Sequence, residues 1–198
     1  MRFISPARQR NLLRYLARER GWAVPPDRRL RSGLLQLLEA GKGKQPVLRF
    51  AGHEIRRFRE QLYLLDEAVP EEAAVPADGS PMLAWPGRET LPLGGPRGNL
   101  SLQPGPGGLL PELVADGLQV TYRHGGETVR APGDAHHRTL KYLFQSRAIV
   151  PWMRHHVPLV FARGQLAAVA DLWTADWAIA TPSGAGLQIV WTGHAPIV

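Results

Sequence analysis

Cysteine is absent from the 198-residue chain, and its longest apolar runs fall far short of the ~20 residues that cross a bilayer. The first absence excludes disulfide scaffolds, thiolate zinc sites and cysteine nucleophiles. Arg2, Arg8 and Arg10 interrupt the N-terminus, so the apolar segment of a signal peptide is missing as well. The sequence therefore predicts a cytoplasmic protein that makes no contact with a membrane.

Lysine is scarce. Of the 24 lysine and arginine residues, only Lys42, Lys44 and Lys141 are lysines, and the rest are arginines. Arginine makes paired hydrogen bonds to phosphate and stacks on nucleobases. A GC-rich coding sequence also enriches arginine, so a single arginine does not by itself indicate a binding site.

The charge is uneven along the chain. Residues 1–62 hold 15 basic and 5 acidic residues, a net charge of +10. Residues 63–118 have a net charge of −6, and residues 119–198 one of +3. The high positive charge of residues 1–62 favours an anionic polymer as the partner of this segment.

The first segment predicts a helical hairpin followed by strands. Ser5 and Pro6 are typical of a helix start, and Gly21 of a helix end. A second helix is predicted from Pro25 to Gly41, and extended segments follow up to about residue 65.

The remainder of the chain divides at about residue 118. Residues 66–118 contain nine prolines and nine glycines, which favours an irregular, partly β connector. Strand and short-helix patterns return after it. The predicted fold class is α+β, with a helical-hairpin-plus-strands lobe over residues 1–66, a connector over 67–117 and a small α+β domain over 118–198.

No residue pattern indicates catalysis or a metal. The pairs His136-His137 and His155-His156 lack the i, i+4 spacing with an intervening glutamate that binds zinc on a helix. The carboxylates of Asp171 and Asp176 are not paired at a spacing typical of acid–base catalysis. The sequence therefore assigns no catalytic residue, no cofactor-binding residue and no metal ligand.

Four motifs in the C-terminal part occur in a fixed order: His124-Gly-Gly-Glu-Thr-Val-Arg130, Thr139-Leu-Lys-Tyr-Leu-Phe144, Val150-Pro-Trp-Met-Arg154 and Val157-Pro-Leu-Val160. Their order and spacing over residues 119–173 resemble those of the C-terminal domain of bacterial tRNA(Ile)-lysidine synthetase. The first lobe is similar to the tRNA-substrate-binding domain of the same family through residues 7–15, Ile55-Arg56-Arg57-Phe58-Arg59 and Leu62-Tyr63.

The catalytic domain of that family carries a Ser-Gly-Gly-x-Asp-Ser loop that binds ATP, and no glycine pair of this sequence stands in such a loop. The chain therefore resembles the two later domains of the family without the N-terminal catalytic domain. The resemblance implies a ligase that converts the wobble cytidine of a minor isoleucine tRNA to lysidine, using ATP and lysine. We expect the present chain to be inactive alone, with ATP bound in the catalytic domain.

The resemblance implies tRNA and the catalytic domain of the same enzyme as partners, and the oligomeric state stays open. Basic residues in the matching segments are the predicted tRNA contacts: Arg8, Arg10, Arg14, Arg56, Arg57, Arg59, Arg123, Arg130, Arg138, Lys141 and Arg154. Two alternatives stay open. One is a stand-alone nucleic-acid-binding protein without catalysis, and the other is a protein-interaction module with a basic surface.

Overall fold

The computed structural model describes residues 4–41, 43–66, 69, 82–181 and 184–198. The chain divides into two compact units, Met1–Ala68 and Val69–Val198. Helices and antiparallel sheets occur in both, which confirms the predicted α+β class. Within the described residues, no helix is both long and apolar enough to cross a membrane.

The first unit is a helical hairpin followed by a three-stranded antiparallel sheet of order β1-β2-β3. Its elements are α1 (Pro6–Glu19), α2 (Asp27–Glu39), β1 (Val47–Phe50), β2 (His53–Phe58) and β3 (Gln61–Leu65). The predicted helix start is confirmed, because the Ser5 hydroxyl accepts a hydrogen bond from the Arg8 N–H at 3.5 Å.

The core of the first unit lies between the helices and one face of the sheet. Leu13 of α1 and Leu37 of α2 are buried against Leu48 and Ile55. A Cβ atom on Gly33 would lie 2.4 Å from Cδ1 of Leu48, so any larger residue there would force the Leu48 side chain to shift.

In its described residues, the second unit contains three sheets and two short α-helices. A five-stranded sheet has the order β12-β11-β10-β7-β4, a three-stranded sheet has the order β13-β6-β5, and β8 pairs with β9. The strands are β4 (Leu83–Trp85), β5 (Leu91–Pro92), β6 (Asn99–Gly105), β7 (Leu118–Thr121), β8 (Thr128–Val129), β9 (Arg138–Thr139), β10 (Leu159–Ala162), β11 (Gln165–Val169), β12 (Trp173–Thr174) and β13 (Gly186–Thr192). The α-helices are α3 (Pro111–Ala115) and α4 (Leu140–Ser146), and single 3-10 turns span Gly95–Arg97 and Pro151–Met153.

The segment predicted as a connector contributes strands to the second unit. Over its described part, β4 pairs with β7, and β6 pairs with β13 along seven residues. Proline is tolerated there because Pro104 lies beyond the short β5–β6 ladder, on a side of β6 where no described strand needs its N–H. The rest of the predicted connector, residues 67, 68 and 70–81, lies outside the described residues.

The C-terminal elements position the family-like motifs. Thr139 caps α4 by accepting from the Tyr142 N–H at 3.3 Å, and Leu140 and Phe144 of that helix are buried. Trp152 is 5% exposed, as expected for a core tryptophan. The exposed face of α4 therefore lies opposite a buried, packed face.

Candidate nucleic-acid interface

The arginines of the helical hairpin gather around one carboxylate. Asp27, the first residue of α2, lies 2.5 Å from Nη2 of Arg14, 3.4 Å from Nε of Arg10 and 3.8 Å from Nη2 of Arg31. One carboxylate balances one of three guanidinium groups, so the cluster keeps a net positive charge. Arg8, in the first turn of α1, is exposed.

The three arginines of β2 and the turn after it lie in different environments, because successive residues of a strand point to opposite faces. Arg56 is 7% exposed, and its Nε donates to the Glu54 carboxylate at 2.6 Å. Arg57 points the other way and donates to the carbonyl oxygens of Leu38, at 2.7 Å, and Ala40. These two arginines therefore present little surface to a phosphate.

Arg59 is the exposed member of this group. It stands in the β2–β3 turn with φ +54°, and its guanidinium lies 5.4 Å from the centre of the Phe58 ring. Of the three arginines predicted here as tRNA contacts, Arg59 alone is exposed, and its contact with RNA stays a prediction.

Glu54 is a fully buried carboxylate that holds two arginines. Besides Arg56, it accepts from Nε of Arg49 at 2.6 Å. Burial alone would raise the pKa of Glu54, but the hydrogen bonds and charges of Arg56 and Arg49 outweigh it and lower the pKa below its usual value. The group is therefore ionised and fixes the guanidinium of Arg49 at the surface.

A second carboxylate shapes the Gly125-Gly126 turn. Oε1 of Glu127 accepts from the N–H groups of His124 at 2.5 Å and Gly125 at 2.8 Å. Arg123 lies 3.5 Å from the other carboxylate oxygen. Burial would raise the pKa of Glu127, but the backbone hydrogen bonds and the charge of Arg123 lower it. Both glycines have positive φ, +114° and +86°, which explains the residue type in this turn.

The basic residues around α4 form an exposed surface. Arg138 lies 3.5 Å from Asp134, and its guanidinium is 5.3 Å from the centre of the Tyr142 ring. Tyr142 is 52% exposed, and the neighbouring Lys141 is exposed and forms no ion pair with any described residue. We call Arg138, Lys141 and Tyr142 the α4 surface.

The last two predicted contacts are tied to other groups of the second unit. Arg130 forms an ion pair with Asp176 at 2.5 Å, and Arg154 donates to the carbonyl oxygen of Ile149 at 2.9 Å. Arg154 is also half-buried. Arg130 is exposed despite its ion pair, whereas Arg154 is not.

Sequence reasoning missed several exposed arginines. Arg49 faces outward between the buried Leu48 and Phe50, a period-2 pattern that the sequence contains. Arg29 is exposed on α2, and Arg147 lies 4.5 Å above the Trp173 ring. The Arg147–Trp173 contact joins α4 to β12, and nothing local in the sequence indicates it.

A metal centre has no support in the part of the chain that the structure describes. No group of three or more histidine or carboxylate side chains lies close enough there to hold an ion. The described site residues are thus arginine, lysine and aromatic side chains, which suit an anionic polymer.

Comparison with protein-family models assigns the N-terminal and the C-terminal segments of the chain to two domains of one family. Residues 1–63 match the model described as the TilS substrate binding domain, and residues 118–191 match the TilS substrate C-terminal domain. The two matches confirm the resemblance that the sequence motifs indicate, in the same order along the chain.

Individual relatives agree with this assignment. The chain is 36% identical to a tRNA(Ile)-lysidine synthase of Alkalilimnicola ehrlichii, over 98% of this chain and 42% of the relative. It is 32% identical to the enzyme of that name from Methylococcus capsulatus, over 96% of this chain and 42% of the relative. The chain thus spans about two fifths of the length of these relatives. It belongs to the TilS family and carries the substrate-binding domain and the C-terminal domain of that family.

Proposed function

We propose that this chain binds tRNA, as the RNA-holding portion of a tRNA(Ile)-lysidine synthetase. The observation that carries the proposal is the α4 surface, which lies within the match to the TilS substrate C-terminal domain. Two exposed cations there suit backbone phosphates, and the exposed Tyr142 ring suits stacking on an unpaired base.

The first unit supports the same function through its charge. Residues 1–62 have a net charge of +10, and Arg8 and Arg59 are exposed. Contacts of this kind position an RNA without reading its sequence. The two units then hold the RNA at separate places, which restricts its orientation more than either does alone.

The activity of the whole protein follows from the names of the relatives and the family resemblance. We infer that it converts the wobble cytidine of a minor isoleucine tRNA to lysidine, with ATP and lysine as co-substrates. ATP is assigned to a catalytic domain that partners this chain. The contribution of the present chain is to hold the tRNA so that the wobble base stays at that domain, which raises the rate by fixing the reacting groups.

The test measures binding of an isoleucine tRNA transcript by filter retention across a salt series. Replacing Arg138 and Lys141 with glutamine removes two cations from the α4 surface. We expect weaker binding and a salt slope that is less steep by about 1.4–1.8, because each phosphate contact contributes roughly 0.7–0.9. The charge-matched control is Arg88→Gln with Arg163→Gln, which removes two exposed arginines elsewhere in the second unit.

Two results would contradict the proposal. If both double variants lose affinity equally, the α4 surface acts only through net charge and has no specific role. If the unmodified chain does not bind the transcript at low salt, tRNA is not its ligand, and a protein-interaction module becomes the better interpretation.

A further inference from the structure

Two neighbouring histidines, His136 and His137, lie in the loop that joins β8 to β9. Both are exposed, within a run of five exposed residues, 135–139. No hydrogen bond, ion pair or ring contact joins either side chain to another described residue. Packing within the described part of the chain therefore does not account for the pair, and neither histidine is among the predicted tRNA contacts.

The loop that carries the two histidines is anchored at both ends. At its start, Nε of Arg130 lies 2.5 Å from the Asp176 carboxylate, and the Arg130 carbonyl accepts from the Asp176 N–H at 2.9 Å. At its end, Arg138 belongs to β9, which pairs with β8. A turn between these ends is closed by a hydrogen bond from the Asp134 N–H to the Ala131 carbonyl at 3.0 Å. The histidines are therefore held beside Arg138 and do not lie on a free tail.

The pair adjoins the α4 surface. His137 directly precedes Arg138, and successive Cα atoms are about 3.8 Å apart, so the Cα atoms of His136 and Arg138 lie within about 8 Å of each other. Strand β9 leads without a break into α4, which carries Lys141 and Tyr142. Charges are screened over about 8 Å at physiological ionic strength. A charge on either histidine therefore acts on the same stretch of a bound RNA as Arg138 does.

The charged groups around the loop leave a small positive charge. Residues 123–146 and Asp176 contain three ion pairs and one further cation: Arg123–Glu127, Arg130–Asp176, Arg138–Asp134 and Lys141. The pairs cancel and Lys141 remains, so the net charge is +1 while the histidines are neutral. Protonation of His136 and His137 raises it to +3. His124 is the other histidine of this segment, and it is addressed by a control below.

Histidine is suited to this place because its ordinary pKa lies in the physiological range. The neutral imidazole has one N–H donor, whereas the protonated ring has two N–H donors and a positive charge. Hydrogen bonds between charged partners, such as imidazolium and phosphate, are stronger than those between neutral groups. A phosphate beside a histidine also stabilises the protonated ring. Contacts of this type therefore become stronger as the pH falls.

We infer that His136 and His137, in their protonated forms, contact backbone phosphates of tRNA beside the α4 surface, so that tRNA binding tightens as the pH falls from 8 to 6. The inference rests on the proposed tRNA binding and adds two contacts and a pH dependence to it. The second histidine pair of the chain differs, since His156 is fully buried.

The experiment measures filter retention of an isoleucine tRNA transcript at pH 8 and pH 6, each across a salt series. For the unmodified chain we expect tighter binding at pH 6, by about 1.4- to 5-fold for each histidine, the range of an exposed ion pair. The salt slope should be steeper at pH 6 by up to about 1.4–1.8, because two phosphates are added. The double variant His136→Gln with His137→Gln should lose most of this pH dependence and bind nearly as well as the unmodified chain at pH 8.

Two further variants separate a local contact from net charge. His124→Gln with His155→Gln is the matched control, because it removes two exposed histidines elsewhere in the second unit. We expect it to keep most of the pH dependence. His136→Lys with His137→Lys makes the charge permanent. This variant should bind at pH 8 as tightly as the unmodified chain binds at pH 6, and its affinity should not change with pH.

Three results would overturn the inference while leaving the proposed function intact. One is tRNA binding by the unmodified chain that is equal at pH 8 and pH 6. Another is a pH dependence that persists when His136 and His137 are both glutamine. The third is an equal loss of pH dependence in the two glutamine double variants, which would mean that only net charge responds to pH. If the unmodified chain binds no transcript at either pH in low salt, both proposals fail.

Discussion

Arg57 in β2 donates from Nη1 to the carbonyl oxygen of Leu38 in the last turn of α2, at 2.7 Å. Its Nη2 donates to the carbonyl of Ala40, the residue that caps the helix. The last carbonyls of a helix lack partners within it, and α2 has no basic residue in its last turn. Arg57 therefore supplies the C-terminal cap from a different element.

This contact predicts that Arg57→Gln destabilises the first unit. Two hydrogen bonds to a charged donor are lost, each worth about 1.5–3 kcal/mol, and the helix end is left without this cap. We expect the free energy of unfolding, measured by urea denaturation, to fall by at least the lower figure. Arg59→Gln is the matched control, because it removes the same charge two residues away at an exposed side chain.

The two variants should rank in the opposite order for loss of RNA affinity, with Arg59→Gln affected more than Arg57→Gln. Under conditions in which both variants are folded, Arg59→Gln should weaken tRNA binding and Arg57→Gln should have little effect. Equal stability of the two variants would show that the cap is dispensable. A larger loss of RNA affinity in Arg57→Gln would restore it as a phosphate contact.

The contrast between Arg56, Arg57 and Arg59 explains how far the sequence predicts the site. Their basic cluster is visible in the sequence, and so is the strand that carries the first two. The Glu54 partner of Arg56 is also visible, because residues i and i+2 of a strand share a face, whereas the Leu38 partner of Arg57 lies at the end of another element. Local charge therefore predicts a basic region but not which of its members are exposed.

The fold shows the same division between local and distant signals. Both helices of the hairpin begin and end near the predicted residues, because Ser5, Pro6 and Gly21 act within one turn of the chain. Strands β4 and β6 form through distant pairing, as in the register of Asn99 with Thr192. A count of prolines and glycines cannot predict a ladder between segments more than 80 residues apart.

Glu127 predicts an acid-dependent contribution to stability. Its pKa is lower in the folded chain than its ordinary value of 4.5, so the folded state favours the charged carboxylate. The stabilisation is present above the unfolded pKa and is lost as the pH falls through the folded pKa. Glu127→Gln should therefore have a lower free energy of unfolding than the unmodified chain at pH 7. The difference in free energy of unfolding between the two should become smaller below about pH 4.

Urea denaturation at several pH values measures this difference. Glu89→Gln is the control, since it makes the same change at an exposed carboxylate for which the stability difference should be small at every pH. A constant difference between Glu127→Gln and the unmodified chain from pH 7 to pH 3 would mean that shape, not charge, stabilises the turn.

The chain alone is expected neither to hydrolyse ATP nor to form lysidine. Its sequence contains no Ser-Gly-Gly-x-Asp-Ser loop, the loop that binds ATP in the family it resembles. The chain is incubated with tRNA transcript, ATP and labelled lysine, and the label in RNA is measured. The Alkalilimnicola ehrlichii relative serves as the positive control, and label above a boiled sample of the chain would refute the prediction.

Strands β4 and β6 predict that the segment 118–198, which contains the family-matched residues 118–191, does not fold alone. Without them β13 loses its seven-residue partner β6, and β7 loses β4. The segment also loses buried Trp85, Leu100 and Leu113. Three such side chains contribute about 1.5–3 kcal/mol each, and their sum is comparable to the ~5–15 kcal/mol that stabilises a whole domain.

The fragment 69–198 keeps all of these partners and is the matched control. In proton–nitrogen correlation spectra we expect dispersed amide signals for 69–198 and collapsed signals for 118–198. Dispersed signals from 118–198 would instead place the structural boundary at residue 118 and reduce the preceding strands to a peripheral role.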